Sequence, residues 1–260
     1  MDPAPEWCVL EVSSFQLADI ERFRPDIGVV TNLAPDHLDR YPSVEAYWAD
    51  KGRLFRNATP GCRWVLNGDQ PEVEALAGDA PGERFRFSVE GVPGAQATLR
   101  EGALRVRLSQ SGSEEVRLPQ DRLPLLGRHN VANALAASLA ARLAGADAGS
   151  VERGLESFRP LPHRLEPVGR RGGLAWVNDS KATNVAATAG ALASLAGPLV
   201  LLLGGKDKGE DFGVLRAALH PGVRAAVVYG QARGRLARAL EGAVPLTVVD
   251  GGFDEAVAVA

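Results

Sequence analysis

The sequence predicts an α/β protein in which a parallel-sheet domain with a small antiparallel meander is followed by a doubly wound parallel domain. Two observations carry this prediction. Short apolar segments alternate with helical patterns in both halves of the chain, and a stretch of period-two alternation lies between them. The 260 residues are 45% hydrophobic, which is enough for two cores of ordinary size. We expect residues 1–160 to form the first domain and residues 161–260 the second.

Three short apolar runs in the first half predict strands, and a helical pattern lies between the second and the third. The strands are expected at residues 7–10, 26–32 and 63–67, and the first is expected to be buried. Ser43 is suited to cap the helix, and the apolar spacing extends that helix to about Asn57.

The period-two alternation runs from about residue 85 to residue 118 and predicts a small antiparallel meander, with turns at Gly102 and residues 111–112. A helix rich in Ala and Leu is expected to follow from Gly127 to about Gly145, and a shorter helix over residues 150–158. The stiff sequence Arg-Pro-Leu-Pro at 159–162 interrupts the pattern. We place the domain boundary there.

The second half alternates strictly between strand and helix patterns. Strands are expected at residues 174–178, 199–203, 225–229 and 246–249, and helices at residues 184–196, 211–219, 232–241 and 253–260. This order predicts a Rossmann-like, doubly wound parallel sheet.

Charge and cysteine content indicate which binding partners and which cellular compartment to expect. A net charge of −3 and a pI of 5.9 do not indicate binding to nucleic acid or to an anionic membrane surface. Two cysteines in a chain of this length are typical of a reducing compartment. No segment is long and apolar enough to span a membrane. We therefore expect a cytoplasmic protein, and a monomer.

Two polar residues lie just beyond predicted strands, where ligands bind in open α/β sheets. Glu11 follows the first strand directly, and His37 lies five residues beyond the second. An acid and an imidazole at neighbouring strand ends can share a divalent cation, and oxygen ligands favour Mg²⁺. The alternative is that Glu11 caps the following helix and His37 is an ordinary loop residue.

Lys51 lies on the apolar stripe of the predicted helix, seven residues after Val44. A lysine in this place either extends its amine to solvent or is partly desolvated, which lowers its pKa. A neutral amine is a nucleophile. Periodicity alone leaves both interpretations open.

Polar sequence also follows two strands of the second half. The run at residues 178–184 opens a helix, and Lys181 beside that helix N terminus suits a phosphate or a carboxylate. The alternative is an ordinary cap by Asp179 or Ser180. The glycine-rich loop at residues 204–209 brings further lysines and allows close backbone approach, although a solvated loop would have the same composition.

The first turn of the helix after Gly127 carries Asn130 and Asn133 on one face. This pair can contact an adenine edge or a ribose, or can act as a cap. Arg164 lies at the predicted domain junction, where it can reach a nucleotide bound between domains. The sequence contains no GxxxxGK[ST] phosphate loop.

The ordered motifs LEVSSFQL, NLAPDHLDRY, GRHNVANALAA, PLPHRLEPV, VNDSKATN and LLLGGKDKGEDF resemble those of the Mur ligase family, the ATP-dependent amide ligases of peptidoglycan synthesis. They extend over nearly the whole chain, and the ordered set is far more specific than any one motif. EVSSFQL and NDSKATN favour the branch that adds D-glutamate. The resemblance implies an ATPase-type central domain and a C-terminal domain that binds nucleotide and amino acid.

The resemblance implies that ATP, with Mg²⁺, phosphorylates the carboxylate of UDP-N-acetylmuramoyl-L-alanine, and that the amine of D-glutamate then displaces the phosphate. It implies that Glu11 and His37 are magnesium-site residues with Ser13 beside them. It also implies that Lys51 reacts with CO₂ to give a carbamate that ligates or orients the metal. His37 and Lys51 would thus be catalytic.

Further roles implied by the resemblance lie in the second half and on the helix after Gly127. Thr183 and Lys208 match positions that hold the carboxylates of D-glutamate, and Lys208 counts among the catalytic residues. Lys206 departs from the acidic or polar residue of the family and has no assigned role. The implied nucleotide contacts are Asn130, Asn133, Arg164, Asp179 and Lys181.

Compared with a complete family member, the sequence lacks the N-terminal UDP-binding domain, the phosphate loop and a final Ser-Pro-Ala stretch. We therefore expect these 260 residues alone not to catalyse the full reaction. Two alternatives stay open. One is a non-catalytic nucleotide-binding module on the same scaffold, against which the intact Lys51 argues. The other is a sister ligase that adds another amino acid, or a glutamate tail to folate.

Overall fold

A computed structural model of the protein describes residues 5–37, 40–108, 115–195 and 197–260. The first sheet has six strands, which lie in chain order across it: β1 (Ile27–Val30), β2 (Arg63–Asn67), β3 (Glu83–Ser88), β4 (Ala97–Arg100), β5 (Ala103–Val106) and β6 (Val116–Pro119). Strands β1 to β4 are parallel, and β4 to β6 form an antiparallel meander. The helices of this half are α1 (Ser14–Ala18), α2 (Val44–Gly52), α3 (Pro71–Ala77), α4 (Arg128–Leu143) and α5 (Ala148–Ser157).

The predicted buried strand at residues 7–10 is wrong. These residues form no strand, and the side chains of Val9 and Leu10 are 95% and 61% exposed. A strand needs a neighbour for its backbone hydrogen bonds. Within the described residues, β1 pairs only with β2 and nothing pairs with this segment. Apolar composition alone therefore does not place it in the sheet.

The predicted meander is confirmed for β4 to β6, but its first segment is wrong. Strand β3 pairs in parallel with β2, and the meander extends the main sheet instead of forming a separate one. The cause is helix α3, which we did not predict and which provides the crossover that a parallel pair needs. Pro71 at its first turn was the available sequence signal. Gly102 lies at the predicted turn with φ of +70°, whereas residues 111–112 lie outside the described residues.

Both faces of this sheet are covered by buried apolar side chains. On one face α4 packs with Leu135 and Leu139 against Phe87 and its neighbours. On the other face Trp64 packs edge-on against Phe55, with ring centroids 4.7 Å apart. Each fully buried side chain of this size contributes about 1.5–3 kcal/mol. The two layers fix the end of β1, from which residues 31–37 emerge.

The second half contains a two-stranded antiparallel hairpin and a three-stranded parallel sheet. The hairpin is β7 (Glu166–Arg171) and β8 (Leu174–Asn178), and the sheet has the order β11-β10-β9, with β9 (Leu199–Gly204), β10 (Val223–Tyr229) and β11 (Leu246–Val248). The helices are α6 (Val185–Ser194), α7 (Gly213–Ala218), α8 (Arg233–Leu240) and α9 (Phe253–Val259). The predicted strand–helix alternation is confirmed from β9 onwards, while residue 196 at the end of the first predicted helix lies outside the described residues.

One strand of the second half is placed differently from the prediction. Strand β8 pairs with β7, which we did not predict, and not with the parallel sheet. Gly172 and Gly173 have φ of +61° and +82° and form the tight turn between them. A Gly-Gly pair between two extended runs was the signal for this hairpin. In the described part of the chain, no helix is long and apolar enough to cross a membrane.

Candidate active site

A pocket of about 420 Å³ lies between the start of α1 and one face of α2. It brings together the three residues expected to form a metal site, Glu11, His37 and Lys51, although they come from three separate segments of the chain. Its complete lining is Glu11, Val12, Ser13, Ser14, Gln16, His37, Tyr47 and Lys51. The residues around this pocket decide how each of the three is presented.

Four aromatic rings pack together beside the pocket, and two of them, His37 and Tyr47, line it. The His37 ring lies edge-on to Phe15 and to Tyr47, at centroid distances of 5.2 and 5.9 Å. Tyr41 stacks on Phe15 at 5.4 Å and lies 5.3 Å from Tyr47. Each such pair adds about 0.5–1.5 kcal/mol beyond area burial. We did not predict this cluster, although its aromatic residues stand inside or beside the motifs that carry the resemblance.

The backbone of His37 adopts a conformation that is uncommon for a residue with a side chain. Its φ is +56°, in the left-handed region. The Asp36 carboxylate accepts the His37 N–H through Oδ1 at 2.8 Å, which compensates part of the strain. The imidazole also packs between the rings of Phe15 and Tyr47. His37 is therefore held in a defined position, and not as a loose loop residue.

Lys51 is half-buried, and its Nζ lies 5.0 Å from the centroid of the Tyr47 ring. Burial lowers the pKa of the Lys51 amine, and the negative charge of Asp36 opposes part of that effect. Of the two interpretations of this lysine, the structure agrees with partial desolvation. A larger fraction of the amine is consequently neutral, and nucleophilic, at a given pH.

The residue that caps α1 is Ser13, and not Glu11. The Ser13 hydroxyl accepts the Gln16 N–H at 3.3 Å, and the Gln16 side-chain oxygen accepts the Ser13 N–H at 2.9 Å, which completes a capping box. The capping alternative for Glu11 is therefore wrong. Glu11 is exposed and forms no hydrogen bond or ion pair with any described residue. Its carboxylate is available to a ligand in the pocket.

The donor set of the pocket fits a weakly chelated Mg²⁺ better than a metal held by protein alone. Among the described residues, no group of three or more His, Cys, Asp or Glu side chains is placed to hold a metal ion. Glu11 offers a carboxylate and His37 an imidazole. Mg²⁺ is usually bound by one or two carboxylates together with waters and substrate phosphates. A CO₂ adduct on Lys51 would add the second carboxylate-like ligand.

The polar loop before α6 contains the residue that caps this helix, but it is neither Asp179 nor Ser180. Asn184 caps this helix, because its side-chain oxygen accepts the Ala187 N–H at 2.7 Å. The capping alternative for Asp179 and Ser180 is therefore wrong. Asp179 instead accepts the Leu165 N–H at 3.0 Å and ties this loop to the segment after the predicted domain boundary.

The two residues expected to bind the amino acid lie next to each other. Lys208 Nζ donates to the backbone oxygen of Thr183 at 3.2 Å. One residue that we did not predict is Glu210, whose carboxylate accepts the Val185 N–H at 2.6 Å. The first N–H of α6 is thus already bound to a protein carboxylate. Lys181, which we expected to join that N terminus in an anion site, is exposed.

Among the expected nucleotide contacts, the structure brings Arg164 and Asp179 to the same place. The charges of both residues act on the pKa of His129. Burial is the main cause that lowers this pKa, the negative Asp179 opposes it, and the positive Arg164 adds to it. Asn130 donates to the backbone oxygen of Leu126 at 2.7 Å, so its side chain has a local partner. Asn133 is exposed, as is Lys206, for which no role was assigned.

The metal-site loop and the amino-acid loop meet directly. The Asn184 side-chain nitrogen donates to Asp36 Oδ2 at 3.1 Å, across 148 positions of sequence. Asp36 is the residue that binds the His37 N–H and raises the pKa of Lys51. This bond therefore connects the loop that carries His37 to the loop that precedes α6.

On this α/β scaffold one pocket combines a carboxylate, an imidazole and a half-buried lysine, and a second polar loop lies beside it. Comparison with known proteins gives the family of the chain. Residues 1–141 match the Mur ligase middle domain, and residues 163–260 match the Mur ligase glutamate ligase domain. The chain belongs to the Mur ligase family.

Two curated relatives have the name UDP-N-acetylmuramoylalanine--D-glutamate ligase. The protein from Acidobacterium capsulatum is 43% identical over 251 residues, which are 96% of this chain and 54% of that protein. The protein from Salinibacter ruber is 42% identical over 242 residues, 91% of this chain and 52% of that protein. The chain thus spans about half the length of the curated relatives it matches.

Solved structures confirm the predicted α/β fold class. MurF from Acinetobacter baumannii matches with a TM-score of 0.67 and 21% identity, over 86% of this chain and 50% of that one. MurC from Thermotoga maritima matches with a TM-score of 0.64 and 20% identity, over 92% and 53%. Folylpolyglutamate synthase from Mycobacterium tuberculosis, complexed with ADP and AMPPCP, matches with 0.64 and 21%, over 90% and 56%.

Proposed function

We propose that the protein carrying this chain is an ATP-dependent ligase of the MurD type, which joins D-glutamate to UDP-N-acetylmuramoyl-L-alanine in peptidoglycan synthesis. Members of the family are ATP-dependent amide-bond ligases. The observation that carries the proposal is the half-buried Lys51 in one pocket with Glu11 and His37. The relatives from Acidobacterium capsulatum and Salinibacter ruber, both named for D-glutamate addition, support the choice of amino acid.

In this proposal Glu11 and His37 hold Mg²⁺, with Ser13 beside them, and the ion when bound neutralises charge on the phosphates of ATP. The neutral Lys51 amine attacks the carbon of CO₂, a nitrogen–carbon bond forms as one carbon–oxygen π bond breaks, and the proton released from the nitrogen passes to solvent water. The product is a carbamate anion in place of a neutral amine. This change converts the pocket from one carboxylate to two carboxylate-like groups, which suits Mg²⁺.

The second loop region holds the amino acid. The Lys208 ammonium and the Thr183 hydroxyl are proposed to bind the D-glutamate carboxylates, and their contact places them side by side. The substrate carboxylate takes the γ-phosphoryl group of ATP, and ADP leaves. The amine of D-glutamate attacks the resulting acyl phosphate and a tetrahedral species forms. Phosphate then leaves as the amide bond is made, and the proton of the amine passes to solvent. Positive charge at Lys208 stabilises the negative charge that develops.

We propose that residues 1–160 and 161–260 are two domains. The nucleotide is proposed to lie where these two domains meet. Arg164 and Asp179 act there on the same histidine. The complete proposed set of nucleotide contacts is Asn130, Asn133, Arg164, Asp179 and Lys181. We also propose a cytoplasmic monomer that acts on small-molecule substrates.

A sister specificity is the second candidate. The solved structures that share the fold include enzymes named as MurC, MurF and folylpolyglutamate synthase, each at about one-fifth identity. Similarity at that level concerns the fold and does not separate these specificities. The adjacent Thr183 and Lys208 favour a dicarboxylic amino acid, because they offer one hydroxyl and one ammonium for two carboxylates.

The test is phosphate release by the protein carrying this chain, with ATP, Mg²⁺, UDP-N-acetylmuramoyl-L-alanine and either D-glutamate or L-glutamate. We expect release with D-glutamate and background release with L-glutamate. Lys206→Ala serves as the control variant because Lys206 is exposed and has no assigned role. Release that depends on a different amino acid would favour the sister ligase. ATP binding without release under any condition would favour the non-catalytic module.

A further inference from the structure

We propose that Asn184 is a positioning residue, whose amide joins the loop that carries His37 to the loop that carries Thr183 and so sets the distance between the metal pocket and the amino-acid site. The inference rests on the proposed function for its chemical meaning. The geometry on which it stands is independent of the substrate.

Both ends of the Asn184 side chain are engaged, and by different parts of the chain. Its oxygen accepts the Ala187 N–H at 2.7 Å and caps α6, while its nitrogen donates to Asp36 at 3.1 Å. Ser, Thr and Asp also cap helices well. Only the amide of Asn combines a capping acceptor with a separate NH₂ donor on the far side of the same group.

Asp36, the partner of Asn184, also forms two hydrogen bonds, one with each carboxylate oxygen. Asp36 Oδ1 accepts the His37 N–H at 2.8 Å and stabilises the left-handed backbone of that residue, while Oδ2 accepts from Asn184. The carboxylate therefore fixes the His37 loop and at the same time holds α6. A hydrogen bond to a charged group is stronger than one between neutral groups.

The position of the amino-acid site follows from this link. Thr183 directly precedes Asn184, and Lys208 is bound to the Thr183 backbone oxygen. Movement of Asn184 away from Asp36 would thus carry the residues proposed to hold D-glutamate away from the His37 pocket. Amide formation needs the reacting amine and carbonyl carbon about 3–3.5 Å apart. The link should accordingly matter for use of the amino acid more than for binding of ATP.

The first variant is Asn184→Asp, which keeps the cap and places a carboxylate against Asp36. We expect the KM for the amino acid to rise about tenfold, as for the loss of a hydrogen bond to a charged group, with the KM for ATP within about twofold. The matched control is Asp147→Asn. Asp147 caps α5 through Ser150 at 2.8 Å, and α5 contributes no residue to the site. This control is expected to leave both KM values unchanged.

The second variant reverses the pair. In Asn184→Asp combined with Asp36→Asn, the new amide at position 36 can donate to the new carboxylate at position 184, and its oxygen can still accept the His37 N–H. We expect the amino-acid KM to recover most of the loss. If the bond had a purely structural role, the single variant would lower the Tm and the exchange would restore it, while the KM for the amino acid would not change in either variant.

A distance measurement separates the link from the activity. Spin labels at R100C and R238C, two exposed positions on opposite halves, are combined with Cys8→Ser because Cys8 is an exposed thiol. We expect Asn184→Asp to broaden the distance distribution and the exchanged pair to narrow it again. An unchanged distribution in Asn184→Asp would overturn the proposal even if D-glutamate is not the substrate. If phosphate release does not depend on D-glutamate but Asn184→Asp still broadens the distance distribution, only the proposed function is overturned.

Discussion

Lys51 and Lys208 both lie at the candidate active site, but they differ in burial and in the contacts of their amines. Lys51 stands on a helix face, half-buried beside the Tyr47 ring, and burial lowers its pKa. Lys208 stands on an exposed loop and donates from its Nζ to the Thr183 backbone oxygen. The first surrounding favours a neutral, nucleophilic amine, whereas in the second the amine already donates a hydrogen bond. In the proposed function the same residue type serves covalent chemistry in one region and recognition of carboxylates in the other.

The largest expected effect comes from replacing each lysine by arginine. Arginine keeps the positive charge but does not form the proposed carbamate. We expect Lys51→Arg to lower kcat about a hundredfold or more, as for the removal of one electrostatic catalytic group, and Lys208→Arg to act mainly through a higher KM for the amino acid. Steady-state kinetics of the two variants measures this difference. Equal losses of kcat in both would remove the distinction between the two lysines.

A smaller effect is expected on the titration of Lys51. Burial lowers the pKa of this amine, so its reactivity with an acylating reagent should rise at a lower pH than that of an exposed lysine. Asp36 raises the pKa, and Asp36→Asn should therefore move the reactivity profile of Lys51 further toward low pH. Competitive labelling across pH, with Lys206 as the internal reference, measures the shift. A move toward high pH would contradict the proposed electrostatics.

The smallest effect is expected in the exposed loop. Glu210→Ala removes the acceptor of the Val185 N–H and should cost about 1 kcal/mol of local stability. Hydrogen exchange at the Val185 amide should speed up, while exchange in the core strand β2 stays unchanged. Glu210→Gln keeps an acceptor oxygen and is the matched control. Faster exchange throughout the chain would mean that the loop supports the whole fold.

Local signals in the sequence were sufficient for much of the fold. Ser43 caps α2 as predicted, with its hydroxyl accepting the Ala46 N–H at 3.2 Å. The period-3.6 pattern after Gly127 gave α4, and the alternation after residue 199 gave the parallel sheet. The failures concern pairing. Residues 7–10 have strand composition but no partner strand among the described residues, and β8 pairs with β7. Strand pairing depends on chain segments that composition does not identify.

The candidate site divides in the same way. Glu11, His37 and Lys51 could be proposed from expected strand ends and a helix face, and they line one pocket although no strand precedes Glu11 in the described structure. The bond between Asn184 and Asp36 could not, since it joins side chains that are 148 positions apart. The local sequence around Asn184 predicts only that it can cap a helix. It does not show that the same side chain also donates to a distant carboxylate.

The most direct test of this account asks whether Lys51 carries CO₂. The protein carrying this chain is equilibrated with ¹³C-labelled CO₂ and examined by ¹³C NMR, with and without Mg²⁺, alongside Lys51→Arg and Lys206→Arg. We expect one carbamate carbon that Mg²⁺ strengthens, that is lost in Lys51→Arg and that is kept in Lys206→Arg. A spectrum without a carbamate carbon, or with one that persists in Lys51→Arg, would contradict the account.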